Sequence, residues 1–213
     1  MATLADLVSS LNFRPWRKAQ PGWPRLILLT DAERLADPLP AAAALPSGAG
    51  VLLRHYDSPE RATIAESLTR LCRARGLMLI VAGDARLALR VGATGVHFTE
   101  AQARARARRS YPRPQVWRRF AIVTAAAHSP AGMAWAARAG ADAVLLSPVF
   151  PTPSHPRRSG LGIRRLTSWA RQGPLPVYAL GGVAVANARA VAAAGVVGIA
   201  GIGGLARGRR PVL

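Results

Sequence analysis

Residues 140–161 read Gly-Ala-Asp-Ala-Val-Leu-Leu-Ser-Pro-Val-Phe-Pro-Thr-Pro-Ser-His-Pro-Arg-Arg-Ser-Gly-Leu, and this stretch decides how the rest of the chain is interpreted. The apolar run 143–147 is too short for a helix and predicts a buried strand. Four prolines follow, which exclude a helix from the next segment and stiffen it. That segment carries hydroxyl, imidazole and guanidinium groups at Thr152, Ser154, His155, Arg157 and Arg158. These groups after a buried strand suit a phosphate ester, although an ordinary surface loop explains them equally well.

On both sides of this stretch, predicted strands alternate with predicted helices. Strands are expected at 25–29, 50–54, 78–82, 95–98, 120–125, 143–147, 177–180 and 198–202. Helix starts are predicted at Ser58-Pro59, Asp84, Thr99 and Ser129-Pro130, and helix ends at Gly76, Gly92 and Gly140. Strands recurring every roughly 20 to 30 residues predict an α/β fold, a single closed parallel (β/α)8 or TIM barrel. The last helix is expected to be short or missing.

The length of 213 residues and a hydrophobic fraction of 50% suit one such barrel. We expect residues 1–24 to form an N-terminal helix and linker, and residues 25–213 to form the barrel. Leu4, Leu7, Val8 and Leu11 would lie on one face of that extra N-terminal helix. The sequence has no apolar run of transmembrane length and a single cysteine, so we expect a cytoplasmic protein without disulfides or membrane contact.

The net charge of +19 invites a nucleic-acid interpretation. Lys18 is the only lysine, and the arginines are spread over predicted helices and loops, as a genome rich in arginine codons would also produce. One cluster, formed by Arg104, Arg106, Arg108 and Arg109, is typical of a solvated helix face. We therefore expect no specific nucleic-acid partner, with binding to polyanions at low salt as a secondary expectation. A homo-oligomer is compatible with the sequence.

All four histidines follow or end predicted strands: His55, His97, His128 and His155. In a parallel barrel these strand ends share one rim, where active sites form, so together they favour a site there. His97 lies inside an apolar strand and is expected to have a structural role. The glycine pairs Gly181-Gly182 and Gly203-Gly204 follow the last two strands, where exposed backbone N–H groups can hold a phosphate. Two tight turns are the alternative.

With these residues placed, the chain resembles the thiamine phosphate synthase/TenI family. The matching segments are Leu28-Leu29-Thr30-Asp31, Leu53-Arg54, Gly95-Val96-His97, Gly140-Ala141-Asp142, Ser147-Pro148-Val149-Phe150-Pro151-Thr152-Pro153-Ser154 and Ala179-Leu180-Gly181-Gly182-Val183. The resemblance implies a (β/α)8 barrel. Synthases of this family join a pyrimidine pyrophosphate to a thiazole phosphate, using Mg²⁺ and releasing pyrophosphate, whereas TenI members aromatise the thiazole phosphate.

The departures from the family pattern concentrate where pyrophosphate would bind. Of the synthase segment Gln-x-Arg-Glu-Lys only Arg54 remains, with His55 in place of the glutamate. Ala82-Gly83 and Gln102 occupy the positions of the magnesium ligands. His155 replaces the family's loop lysine, and Gly203 replaces a serine. Mg²⁺ prefers carboxylate oxygens, so its use is doubtful unless Asp84 or Glu100 takes over.

Three hypotheses remain open. The first is a divergent thiamine phosphate synthase, with metal at Asp84 and Glu100. The second is a TenI-like tautomerase that needs no metal, with His128 as acid/base and His55 as its partner. The third is a non-catalytic barrel that binds a phosphate ester. The expected catalytic residues are His128, His55 and Ser154, and the expected phosphate-binding residues are Arg54, Thr152, Ser154, His155, Gly181, Gly182, Gly203 and Gly204.

Overall fold

Eight parallel strands close into a barrel in the computed structural model, which describes residues 3–13, 22–109, 115–152 and 159–202. The strands are β1 (Leu26–Leu29), β2 (Gly50–Leu53), β3 (Met78–Ala82), β4 (Gly95–Phe98), β5 (Ile122–Ala127), β6 (Ala143–Leu146), β7 (Val177–Leu180) and β8 (Gly198–Gly201). Each strand pairs with the next in the chain, and β8 pairs with β1 to complete the ring. The predicted TIM barrel is confirmed.

Helices connect the strands on the outside of the ring. They are α1 (Leu4–Ser10), α2 (Leu39–Ala43), α3 (Arg61–Arg75), α4 (Ala85–Val91), α5 (Glu100–Arg108), α6 (Pro130–Ala139), α7 (Gly162–Gln172) and α8 (Val185–Ala193), with a 3₁₀ helix at Gln115–Arg119. No helix among the described residues is both long enough and apolar enough to cross a membrane.

Local capping explains where several of these helices begin. The side chains of Asp84, Thr99 and Ser129 accept backbone N–H groups in the first turns of α4, α5 and α6, as predicted. The predicted start of α3 at Ser58-Pro59 is wrong, because α3 begins at Arg61. The Ser58 hydroxyl accepts the N–H of Glu60, and its carbonyl accepts the N–H of Arg61, so this segment forms a turn before the helix.

The fifth strand lies two residues later than predicted, at Ile122–Ala127 instead of 120–125. The N–H of Phe120 bonds to the carbonyl of Trp117, which keeps residue 120 in the turn that ends the 3₁₀ helix. The pairing of β5 with β4 starts at Ile122, opposite Gly95. As a result His128 follows immediately after the strand, at its carboxyl end.

The core has an inner and an outer layer, because successive strand residues point to opposite faces. The barrel interior is filled by a cluster that includes Ile27, Leu52, Ile80, Leu145 and Tyr178. A larger cluster packs the outer faces of the strands against the helices. Side chains therefore fill the ring, and space for a ligand exists only at its ends.

Helix α1 is the extra N-terminal helix predicted from the sequence. Thr3 and Asp6 form a capping box at its start, and Leu4 and Val8 are buried. Helix α1 packs against α8. The expectation of a short or missing helix after β8 falls on residues 203–213, which lie outside the described residues.

Candidate functional site

A cavity of about 200 Å³ opens at the carboxyl ends of the strands. Its lining comes from the ends of five strands and the loops after them: Asp31, Arg34, Arg54, Ser147, Pro148, Thr152, Leu180, Gly181 and Ile202. Arg54, Thr152 and Gly181 were predicted as phosphate-binding residues, and the structure brings all three to this one cavity. The volume is below the roughly 300–1,000 Å³ of typical ligand pockets, so it suits a small ligand.

Arg54 is held in place through its backbone. Its N–H donates to the hydroxyl of the fully buried Thr30, at 2.9 Å. The same hydroxyl donates to Nδ1 of His55, at 2.8 Å, and His55 Nε2 lies 3.3 Å from the carbonyl of Ala36. Since a carbonyl can only accept, this arrangement assigns the proton of a neutral His55 to Nε2.

His55 was predicted to be the catalytic partner of His128, and the structure gives it other contacts. Its side chain is only 3% exposed, and both ring nitrogens have partners in the segment that follows β1. It is not among the described residues that line the cavity. The contacts indicate that His55 positions Arg54 and the loop after β1, because its ring has no nitrogen left for a ligand.

Next to the cavity, the charge of Arg54 also acts on the hydroxyl of Tyr56. Burial raises the pKa of Tyr56, and the positive charges of Arg54 and Arg61 partly oppose that rise. The guanidinium of Arg61 lies over the Tyr56 ring, 5.5 Å from its centre, and donates to the carbonyl of Ala82 at the end of β3. Through Tyr56 these contacts link Arg54, after β2, with Arg61 and the end of β3, and we refer to Arg54, Tyr56 and Arg61 as the basic corner.

His128 contacts the cavity wall through Ser147 and is not itself among the described residues that line the cavity. Its Nδ1 is 2.7 Å from the carbonyl oxygen of Ser147 and 3.3 Å from the Ser147 hydroxyl, and Ser147 itself lines the cavity. Because the carbonyl can only accept, Nδ1 carries a proton. In the neutral ring Nε2 is therefore the nitrogen that can take up a proton, and it lies 4.0 Å from Oε2 of Glu100.

Neither predicted metal ligand is in a preformed metal site. Oδ1 of Asp84 caps α4 by accepting the N–H of Leu87 at 2.9 Å, and Oε2 of Glu100 accepts the N–H of His128 at 2.8 Å. At a family magnesium position, Gln102 closes a capping box with Thr99. The described part of the chain has no group of three or more His, Cys, Asp or Glu side chains that could hold a metal. These residues therefore do not fit a ready-made magnesium site, and their role as ligands stays a prediction.

The first glycine pair shapes the cavity by close packing. Gly181 and Gly182 have φ values of +95° and +67°, a region that glycine adopts without strain. A Cβ on Gly182 would lie 2.6 Å from Cβ of Phe150, so only glycine lets the segment after β6 pack against the end of β7. The N–H of Phe150 donates to the carbonyl of Gly181, at 3.0 Å, and this contact helps to bring Thr152 to the cavity.

The remaining predictions divide into two groups. Ser154, His155, Gly203 and Gly204 lie outside the described residues, so their roles stay predictions. His97 is buried, with Nδ1 2.9 Å from the hydroxyl of Thr124, which agrees with its expected structural role. Burial, assisted by the nearby charge of Arg54, lowers the pKa of His97 to about 3, so its ring is neutral at physiological pH.

Sequence reasoning did not propose Asp31, Arg34 and Ser147 as site residues, although all three line the cavity. Oδ1 of Asp31 accepts the N–H of Arg34, at 3.2 Å, which turns the chain after β1 towards the opening. Two signals were available: all three residues end or follow predicted strands, and Asp31 and Ser147 lie in segments that match the family. Arg34 and Ser147, together with Arg54 and Thr152, offer guanidinium and hydroxyl groups to one small anion, and Asp31 adds a carboxylate to the same lining.

Comparisons with known proteins agree with this architecture. Residues 26–205 match the protein family described as thiamine monophosphate synthase. A thiamine-phosphate synthase of Thioalkalivibrio sulfidiphilus is 36% identical over 164 residues, covering 73% of each chain. One from Roseiflexus castenholzii is 40% identical over 159 residues, covering 73% of this chain and 68% of the relative.

A solved structure gives the same picture in three dimensions. The chain superposes on thiamine phosphate pyrophosphorylase from Pyrococcus furiosus with a TM-score of 0.67 and 26% sequence identity. The superposition covers 84% of this chain and 85% of the other. The similarity therefore extends over nearly the whole barrel.

Proposed function

Because the chain belongs to the thiamine monophosphate synthase family, we propose that it joins a hydroxymethylpyrimidine pyrophosphate to a thiazole phosphate in thiamine biosynthesis. Family membership confirms the resemblance predicted from the sequence motifs. The observation that carries the proposal is the convergence of Arg54, Ser147, Thr152 and Gly181 on one cavity at the carboxyl ends of the strands. In parallel barrels this end of the ring is where catalysis takes place.

The cavity has the groups needed to hold the thiazole phosphate. The Arg54 guanidinium offers charge and hydrogen bonds to phosphate oxygens, and the hydroxyls of Ser147 and Thr152 add neutral donors. Thr30 and His55 keep the Arg54 backbone fixed, so the guanidinium starts from an anchored position. Pre-positioning of this kind lowers the entropic cost of binding.

The reaction forms a carbon–nitrogen bond and releases pyrophosphate, whose developing charge must be stabilised. Bound Mg²⁺ would supply that charge neutralisation in the synthases that use it. The described carboxylates of this chain do not fit a preformed magnesium site. Among the described residues, the positive charge at the opening comes from Arg34 and Arg54, with Arg61 in the adjoining basic corner.

The direct test is synthesis of thiamine phosphate by the purified protein, with Mg²⁺ and with a chelator in its place. Arg54→Gln removes a charged hydrogen-bond donor worth about 1.5–3 kcal/mol and should lower kcat/KM about 10- to 150-fold. Arg90→Gln is the matched control, because Arg90 is exposed in the last turn of α4, away from the cavity. Absence of product under both conditions would contradict the synthase proposal.

The geometry of His128 favours a second candidate, a TenI-like tautomerase that aromatises the thiazole phosphate. Its Nδ1 is fixed on the Ser147 carbonyl, which leaves Nε2 to exchange a proton without a metal. General acid–base catalysis by one group contributes about 10²–10⁴-fold, so His128→Ala should lose that much proton exchange while it still binds the ligand. Binding of thiazole phosphate by the unaltered protein without either reaction would instead support a non-catalytic binding barrel.

A further inference from the structure

Carboxylates are distributed very unevenly along the chain, so the net positive charge is concentrated in residues 85–213. Residues 1–84 contain ten lysines and arginines and eight carboxylates, whereas residues 85–213 contain nineteen arginines and only two carboxylates, Glu100 and Asp142. Both of these carboxylates accept backbone N–H groups, from His128 and Val123 respectively. Such an asymmetry between the two halves of a sequence is typical of chains that bind polyanions.

One partly buried contact brings the arginine-rich elements together. Nε of Arg106 on α5 donates to the carbonyl of Ala139 at the end of α6, at 3.0 Å. The Arg106 guanidinium also lies 4.5 Å from the ring centre of Trp117, in the 3₁₀ helix. Trp117 in turn stacks on Phe98 at the end of β4, with ring centres 4.8 Å apart. The ends of α5 and α6 and the 3₁₀ helix therefore form one continuous surface.

Six exposed arginines surround this contact, and we refer to them as the arginine face: Arg104, Arg108, Arg109, Arg118, Arg119 and Arg138. The helices run antiparallel to the strands, so the ends of α5 and α6 lie at the amino ends of the strands, opposite the cavity. The only carboxylate on these three elements is Glu100, which lies at the other end of α5 against His128.

Local contacts account for only part of the arginine face. Basic residues in the last turn of a helix complement its dipole, which explains part of the placement of Arg108 and Arg138. Arg118 and Arg119 end the 3₁₀ helix, and the Arg104 guanidinium lies over the Trp135 ring on α6, 5.5 Å from its centre. Six like charges on neighbouring elements nevertheless repel one another. A bound polyanion would relieve this repulsion and release the counterions condensed on its own phosphates.

We propose that the arginine face binds the phosphodiester backbone of nucleic acids without reading their sequence. A lipid surface fits less well, because membrane-bound faces combine basic residues with large exposed apolar side chains. On the described elements of the arginine face, Val116 is the only such side chain, at 38% exposed. The proposal does not depend on the reaction, since none of the six arginines is among the described residues that line the cavity.

Binding of a fluorescent DNA duplex of about 30 base pairs, measured by anisotropy between about 50 and 200 mM salt, tests the proposal. If all six arginines contact phosphates, the slope of log K against log salt approaches about −5, which means about a thousandfold loss of affinity over that range. The variant R104Q/R108Q/R138Q should reduce the magnitude of that slope by up to about 3.

The matched control is R70Q/R73Q/R75Q, which removes three exposed arginines from α3, where Glu66 provides local compensation. It changes the net charge equally and should leave duplex affinity within about threefold of the unaltered protein, about 0.6 kcal/mol. Thermal melting of both variants confirms that they are folded. The proposal is overturned if the duplex fails to bind at low salt, if both variants weaken binding equally, or if phosphatidylserine vesicles bind and the duplex does not.

Discussion

Gly182→Ala is the substitution whose effect follows most directly from the structure. Gly182 has a φ of +67°, and a left-handed conformation costs an alanine about 1–2 kcal/mol. The new Cβ would also lie 2.6 Å from Cβ of Phe150 and 2.8 Å from the carbonyl oxygen of Pro151, so the loop after β6 has to move. Forced overpacking of this kind adds about 1–3 kcal/mol.

The free energy of unfolding should therefore fall by about 2–5 kcal/mol, the sum of the two effects. Gly162→Ala is the matched control, since Gly162 has a φ of +72° but no atom within 4 Å of the added Cβ. The control should lose only the conformational part, about 1–2 kcal/mol. For a chain of this length 1 kcal/mol corresponds to about 2–4 °C in Tm.

Urea unfolding measures the stability of both variants, and calorimetry measures their affinity for thiazole phosphate. We expect Gly182→Ala to weaken binding, because the loop that it displaces carries Thr152 to the cavity. Gly162→Ala should retain the affinity of the unaltered protein. Equal stability losses in the two variants, within about 0.5 kcal/mol, would refute the reasoning from close packing.

Three further predictions concern buried groups. Thr30→Val removes the acceptor for the Arg54 N–H and the donor to His55, so the free energy of unfolding measured in urea should fall by about 1–3 kcal/mol. An unchanged unfolding midpoint would contradict these contacts. The pKa of His97 is lowered to about 3 in the folded protein, so protonation of its ring favours the unfolded state. The free energy of unfolding should therefore fall by up to about 1.4 kcal/mol per pH unit as the pH drops below about 6.5. His97→Gln should flatten this dependence between pH 7 and pH 5, and parallel curves would argue against it. Burial raises the pKa of the Cys72 thiol to about 11, so a thiol reagent should react with Cys72 only after the protein unfolds. Immediate labelling of the folded protein would show that the thiol is accessible.

The fold was predictable because its signals are local. Caps at Asp84, Thr99 and Ser129 act within one helical turn, so residue type and spacing were enough to place three helices. The start of α3 was misplaced because Ser58 can close a turn as readily as it can cap a helix. The residues at which β5 begins and ends depend on its pairing with β4, and no local sequence pattern shows that pairing.

The site was predictable in position and much less so in detail. The rule that active sites form at the carboxyl ends of strands brought Arg54, Thr152 and Gly181 together, and the structure places all three at one cavity. It could not show that His55 bonds to Thr30 and Ala36, because these partners come from a different strand and the loop after it. The contact between Glu100 and the His128 backbone likewise joins residues 28 positions apart, so the sequence could suggest only a metal role for that carboxylate.

Pairing of β8 with β1 has a consequence for how the chain can be divided. A cut within residues 110–114 would separate β1–β4 from β5–β8. Each four-stranded piece would then lose the strand that pairs with it at each of its two edges. The four strands then left with open edges are largely apolar, and such edges recruit other strands. Neither piece should persist alone in solution: mixed together they would restore the ring, and kept apart they would aggregate.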